Sequence, residues 1–371
     1  MKVLHFFKTY WPDSFGGVER TIHAIAESTA SHGVETEVLS LSRLPDKNTL
    51  RLDGHIARKA RLDFELASTG FSREVFGKFG ALAGKADLVH YHFPWPLMDM
   101  AHFRARHAKP TVVTYHSDIV KQRILKLLYA PLMHRFLGSV DRIVATSPNY
   151  LATSPVLGNF RNKTLVIPIG LNEKDYPKPS AEQIAAWRAR FPAPFFVFVG
   201  VLRYYKGIDI LIEAARATRA DIVIVGEGPM QARLKKKAEH LDASNVHFVG
   251  PVSDPDKVAL LQLSEGLVSP ANQRSEAFGL ALLEAAMLGR PMISTELGTG
   301  TSYINLNRKT GLVVPANNAP ALAAAMNETI SSPNVSAEWG IAARDRFQTL
   351  FTADRMGRAY AELYHDLLHS A

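Results

Sequence analysis

The chain begins with KVLHFF at 2–7, a short run of mostly apolar residues without the alternation of a half-exposed strand, and runs of this kind recur along its length. In the first half they fall at 34–41 (VETEVLSL), 87–93 (DLVHYHF), 111–116 (TVVTYH), 141–147 (DRIVATS) and 164–169 (TLVIPI). In the second half they fall at 195–201 (FFVFVGV), 221–226 (DIVIVG), 246–249 (VHFV), 266–269 (GLVS), 291–295 (PMIST) and 311–314 (GLVV). Segments of helical length lie between several of them, at 18–32, 207–219, 229–241, 255–264, 279–288 and 319–331. Short buried strands alternating with helices predict parallel sheets covered on both faces.

The plan occurs twice, which predicts an α/β protein of two doubly wound, Rossmann-like domains facing a central cleft. The expected division is 1–172 for the first domain and 173–350 for the second. The remaining 351–371 is expected to form a helix that packs back onto the first domain. Pro177, Pro179, Pro192 and Pro194 punctuate 170–194, which is expected to be the join. In such sheets ligands bind beyond the carboxyl ends of the strands, against helix N-termini, so the loops after strands are where chemistry is sought.

Composition narrows the class. A chain of 371 residues exceeds the usual size of one core, and 47% apolar with 21% charged residues describes a globular protein. The absence of cysteine excludes disulfides, thiolate metal sites and a cysteine nucleophile, and it fits a reducing compartment. The apolar run at the N-terminus ends at Lys8, too soon for a signal peptide, and no stretch approaches the roughly 18 apolar residues of a membrane span. A cytoplasmic location is expected, or a peripheral one on the inner face of the cytoplasmic membrane. The net charge of +8 suits a phosphate-bearing partner or a solvated basic surface.

Candidate chemistry in the second half lies beyond two strands. After FFVFVGV come Arg203 and Lys206, two cations with Gly207 opening a helix, an arrangement that suits a phosphate group. After GLVS comes the stretch 275–289, SEAFGLALLEAAMLG. Gly279 stands near a helix N-terminus and leaves room for an anion at the backbone. Glu276 precedes the helix, and Glu284 lies about one and a half turns into it between ALL and AAM. Eight residues apart, they would not share one helix face, so each is expected to find its partner in a ligand and to be held by water in the empty protein. Asp254 and Asp256 in SDPDK form a D-x-D, a pattern that can hold a metal, but their place before a helix favours capping.

In the first half, Gly16 and Gly17 precede a helix and suit a ligand's approach to backbone amides. His116 ends a strand, where it could meet substrate hydroxyls or serve the structure. From 101 to 136 there are seven Lys or Arg and one acidic residue. Lys121, Arg123, Lys126 and Arg135 lie there among Leu, Tyr, Met and Phe, a pattern of an anionic membrane surface or of an ordinary surface helix.

Taken in order, GGVER, YHSDIV, VIPIG, VGVLRYYKG, VGEGP, SEAFGLALLEAAMLGRP and STELGTG resemble glycosyltransferase family 4, with its GT-B fold, over nearly the whole chain. The paired glutamates with Phe278-Gly279-Leu280 between them are the most specific element. The resemblance implies retaining, metal-independent transfer of a sugar from a nucleotide-diphosphate donor, without a cofactor. It implies that Arg203 and Lys206 hold the diphosphate, with Gly17 close to it, and that Phe278, Gly279 and Leu280 bind phosphate and sugar. It further implies that Glu276 and His116 contact the sugar, Glu284 the ribose, and Val252 flanks the base. Asp118, Lys121, Arg123 and Lys126 are expected to meet the acceptor or membrane. Many members carry arginine directly after the strand-end glycine; here that position is Val201, and Arg203 is expected to supply the cation.

RYYKG and STELGTGTSY resemble the mannosyltransferase-like branch. A GDP-sugar is therefore the expected donor, GDP-mannose or a deoxyhexose such as GDP-rhamnose, with UDP-sugars open. The expected acceptor is a glycan or lipid-linked glycan of bacterial surface polysaccharide or lipopolysaccharide; no nucleic-acid partner is expected. Two other functions are weighed: a nucleotide-sugar 2-epimerase, which would need acid/base carboxylates around the sugar and no acceptor, and a non-catalytic nucleotide-sugar binder, against which Lys206, Glu276 and Glu284 argue.

Overall fold

A computed structural model describes residues 1–45, 49–66, 69–119 and 123–369, with the side chains of 123–126 outside that description. The chain forms two compact units. Unit 1 comprises Met1–Gly170 with Thr352–Ala371, and unit 2 comprises Leu171–Phe351. The first division thus falls two residues before the expected one.

Unit 1 holds β1 (Lys2–Phe6), β2 (Glu35–Ser42), β3 (Thr49–Arg51), β4 (His55–Arg61), β5 (Phe64–Leu66), β6 (Thr69–Phe71), β7 (Leu88–Phe93), β8 (Thr111–Tyr115), β9 (Arg142–Ala145) and β10 (Thr164–Val166). Eight of them make one sheet in the order β10-β9-β8-β7-β1-β2-β4-β3, while β5 and β6 pair separately. All neighbours in the large sheet run parallel except β3 against β4. β4 reads HIARKAR and escaped the apolar pattern because its Lys59 is buried against polar partners. Lys59 Nζ lies 2.7 Å from Asp13 and donates to Ser40 Oγ and the Tyr10 carbonyl. The terminal helix Ala353–His369 packs on the helix Gly17–Ala30 and closes over the sheet, where Tyr364 meets His90 and Tyr360 meets Thr114.

Unit 2 holds β11 (Phe195–Val199), β12 (Asp221–Val225), β13 (Val246–Gly250), β14 (Gly266–Ser269), β15 (Met292–Glu296) and β16 (Gly311–Pro315). They form one parallel sheet in the order β13-β12-β11-β14-β15-β16. The order turns outward in both directions from the β11–β14 pair, and such a switch point opens a crevice at the strands' carboxyl ends. The stretch expected as the join is largely part of this unit. The helix Ala181–Arg190 lies within it, carries a capping box from Ser180 and Gln183, and packs against the helix Asp254–Leu263. Its prolines lie at the flanks of that helix rather than marking a linker.

Candidate functional site

The loops after β11 and β14 flank the switch point and touch each other. Gly207 adopts φ 66°, and a Cβ there would stand 1.9 Å from the Pro270 carbonyl oxygen, so only glycine allows this approach. The Asn272 amide donates to the Tyr205 carbonyl, closing the contact. This juncture sets Lys206, the last residue of a short turn at Tyr204–Lys206, against the β14 loop.

There Lys206 Nζ lies 2.6 Å from Glu276 Oε2, with side chains 18% and 8% exposed. Burial pushes the lysine's pKa down, but the adjoining Glu276 carboxylate outweighs burial and leaves it raised. Arg203 lies within electrostatic reach of Lys206, is itself exposed, and forms no ion pair among the described residues. Gly279 caps the helix Leu280–Met287 at φ 96°, with no side-chain cap. The first amides of a helix have no partner within it and carry its positive end, so they remain available to an anion.

One helical turn further, Glu284 is buried too. Its Oε1 accepts from Lys257 Nζ at 2.9 Å and from Tyr176 Oη at 3.1 Å. Lys257 also lies 2.9 Å from Asp254 Oδ1 and 4.9 Å from the Tyr176 ring centroid. The expectation that both glutamates wait in water for a ligand is therefore corrected: each already holds a lysine brought from another loop or helix. Lys257 and Tyr176 were missed by sequence reasoning. The signal for Lys257 was a lysine opening the apolar run KVALLQL; Tyr176 left none.

The remaining positions divide. Val252 is half-buried in the loop between β13 and the helix Asp254–Leu263, and Leu280 is half-buried at its helix start. The Phe278 ring packs 6.2 Å from Phe351 and closely against Gly300, so its side chain is part of the core. The cap of SDPDK is Ser253 rather than an aspartate. Asp256 accepts from Ser253, Trp187 and Gln183, hydrogen bonds that hold its carboxyl below the usual range, while Asp254 pairs with Lys257. The D-x-D is thus engaged within the fold.

In unit 1, Gly17 is exposed and opens the helix Gly17–Ala30 after Gly16, which offers no side-chain cap. The buried Glu19 accepts from Thr9 and Ser14, each at 2.7 Å, and ties the loop after β1 to that helix. His116 is buried at the end of a histidine row: its Nε2 lies 2.9 Å from His92 Nδ1, and His92 Nε2 lies 2.9 Å from His5 Nδ1. Burial lowers His5 and His116 to about 3. His5, His90 and His92 are near enough together to hold a metal ion. A metal would have to displace the His5–His92 and His92–His116 bonds and the Tyr364 and Thr114 hydroxyls that meet His90 at 2.7 Å. Asp118, expected to meet the acceptor or membrane, is buried, and its Oδ1 accepts from Tyr115 and Ser154.

Lys121 lies outside the described residues, and Arg123 and Lys126 lie on the helix Arg123–Ser139 with side chains outside them. On that helix Leu127 and Leu128 are 74% and 76% exposed, whereas Arg135 stacks on Phe103 at 4.9 Å. No helix among the described residues is long and apolar enough to cross a membrane.

Comparison with known proteins bears on the family and the fold. Residues 15–175 match the family Glycosyltransferase Family 4, and residues 180–346 match Glycosyl transferases group 1. The chain is 53% identical over 353 residues to D-rhamnosyltransferase WbpZ of Pseudomonas aeruginosa, covering 95% of this chain and 93% of that one. It is 46% identical to O-antigen chain mannosyltransferase C of Escherichia coli over the full length of both. A sucrose-phosphate synthase structure from Thermosynechococcus elongatus shares the fold, with TM-score 0.83, 21% identity and complete coverage of both chains. The ordered motifs, the two α/β units and this similarity agree: the chain belongs to glycosyltransferase family 4 and is a glycosyltransferase of the GT-B fold.

Proposed function

We propose that this protein is a retaining, metal-independent hexosyltransferase that moves mannose or a deoxyhexose such as rhamnose from a nucleotide-diphosphate sugar, preferably a GDP-sugar. The acceptor is a glycan or lipid-linked glycan of the bacterial surface polysaccharide. The observation that carries this is the Lys206–Glu276 pair at 2.6 Å, set beside the uncapped helix start at Gly279. Departure of a diphosphate places charge where Lys206, Arg203 and the amides at Gly279 and Leu280 can stabilise it. An ammonium has three N–H groups, so Lys206 can hold Glu276 and still donate to a phosphate oxygen. Glu276, steadied by Lys206, is placed to accept from a sugar hydroxyl. The names of the two relatives support the choice of rhamnose or mannose.

The exposed Leu127 and Leu128, in a stretch rich in Lys and Arg, support attachment to the anionic inner face of the cytoplasmic membrane, where a lipid-linked acceptor would be found. The deciding experiment incubates the protein with GDP-mannose, GDP-rhamnose and a UDP-sugar panel, with and without lipid-linked acceptor. Acceptor-dependent transfer from a GDP-sugar is expected. Epimer formed without acceptor, or nucleotide binding without turnover of any donor, would overturn the proposal.

A further inference from the structure

The histidine row of unit 1 climbs three neighbouring strands towards their carboxyl ends. His5 on β1 pairs in register with His90 on β7. His92, two residues further along β7, pairs with Thr114 on β8, two residues before His116. His5 and His92 are fully buried, and His116, the last of the row, is 8% exposed. Ligands of such sheets bind beyond those strand ends, so the row runs from the core to the side where a ligand is expected.

Burial keeps the three rings neutral: it lowers His5 and His116 to about 3 and His92 well below 6.5. A neutral imidazole carries one N–H and one bare nitrogen. Each bond of the row joins two ring nitrogens at 2.9 Å, His5 Nδ1 to His92 Nε2 and His92 Nδ1 to His116 Nε2, so one nitrogen of each pair carries the proton. The rings therefore cannot choose tautomers separately. Either all three are protonated at Nδ1 and donate towards His116, or all three are protonated at Nε2 and donate towards His5.

The two arrangements differ at the ends of the row. His5 Nε2 is buried and meets no hydrogen-bond partner among the described residues. His90, stacked on His92 with ring centroids 4.5 Å apart, spends both its nitrogens on the Tyr364 and Thr114 hydroxyls and offers it nothing. Protonation at Nε2 would bury an N–H without an acceptor, whereas protonation at Nδ1 leaves only a bare nitrogen there. A buried N–H without a partner is the rarer of the two, so the blind end at His5 selects Nδ1–H along the whole row. His116 Nδ1, which also meets no partner among the described residues, then carries a proton at the open end.

We propose that His5 and His92 are positioning residues that lock His116 as the Nδ1–H tautomer, so that His116 donates to an oxygen of the bound nucleotide sugar and does not accept a hydroxyl proton from it. The inference rests on the nucleotide-sugar function proposed above and adds the residues that set the direction of this hydrogen bond.

Long-range proton–nitrogen NMR spectra of the intact protein with isotope-labelled histidine read the tautomers at neutral pH, the His116 signals being identified by their loss in His116→Asn. Solvated histidine favours Nε2–H, so Nδ1–H at His5, His92 and His116 is the expected and distinctive result. Nε2–H at His116 would overturn the proposal. His92→Gln, whose amide can donate or accept, releases His116 from the row and should leave it a mixture of tautomers at a similar melting temperature. His116 still wholly Nδ1–H in that variant would refute the positioning role of His5 and His92. Turnover of GDP-mannose and GDP-rhamnose tests the direction of the bond. His116→Asn, whose amide N–H can stand in for Nδ1–H, should stay within about tenfold of wild type, and His116→Asp, which can only accept, should lose roughly 10²-fold or more. If folded His116→Asp retains as much activity as His116→Asn, donation by His116 is refuted. If the wild type turns over no nucleotide sugar, the underlying function is at fault, and the NMR spectra still decide the tautomer.

Discussion

Lys206 Nζ and Glu276 Oε2 lie 2.6 Å apart although they come from loops after β11 and β14, strands that are neighbours in the sheet but far apart in the chain. The pair is mostly buried, so removing either partner leaves a charge without its counterion.

From this follows the behaviour of Lys206→Ala. Turnover should fall by roughly 10²–10³, the usual cost of losing one donor to a developing anion, while circular dichroism shows the fold intact. Glu276→Gln should lower turnover with a smaller effect on melting temperature, because the amide oxygen still accepts from the lysine. Wild-type-like turnover of Lys206→Ala would end its role at the diphosphate.

Gly279→Ala should weaken nucleotide binding by more than it lowers stability. At φ 96° a Cβ costs about 1 kcal/mol or more, and it would stand 3.0 Å from Leu282 Cδ1, beside the helix start where an anion approaches. Parallel melting curves and GDP titrations separate the two effects. Unchanged affinity in a folded variant would remove the helix start from the site.

Unit 1 should be acid-labile. Burial holds His5 and His116 at about 3 and His90 and His92 well below the ordinary 6.5. The folded value lies below the unfolded one, so the unfolded chain binds more protons as pH drops under about 6.5. Stability from these rings is complete above that pH and is lost progressively towards pH 3. Each neutral ring costs about 1.4 kcal/mol per pH unit over this window. Melting temperature should fall steeply between pH 6.5 and 5, and a flat profile would refute the neutral histidine row.

Neutralising Lys121, Arg123 and Lys126 together should reduce binding to anionic vesicles more than turnover of a soluble acceptor analogue. Replacing the exposed Leu127 and Leu128 by Ser should do the same with less salt dependence. Equal loss of both activities, or undiminished vesicle binding, would count against membrane attachment.

Much of the architecture was legible because its signals are local. Eleven of the apolar runs lie on the strands β1, β2, β7 to β9 and β11 to β16, and the run at 164–169 shortens to β10. What escaped was written in long-range terms. β4 carries Lys59, Arg58 and Arg61, and its burial depends on Asp13, Ser40 and the Tyr10 carbonyl, which no window along the chain contains. The prolines of 170–194 imitated a linker, although the helix Ala181–Arg190 packs there on the helix Asp254–Leu263.

The site divides in the same way. The sequence alone determined which residue types stand after which strands: Lys206 beyond β11, Gly279 at a helix start, Glu276 and Glu284 on either side of it. Strand periodicity and glycine at turns are properties of neighbouring residues, so they can be read along the chain. Only the tertiary structure decided who partners whom. Placing β14 beside β11 brings Glu276 to Lys206, and packing the helix Asp254–Leu263 near the helix Leu280–Met287 brings Lys257 to Glu284. A buried carboxylate must find a cation or a donor, but which one it finds depends on strand order and helix packing, which local pattern does not encode.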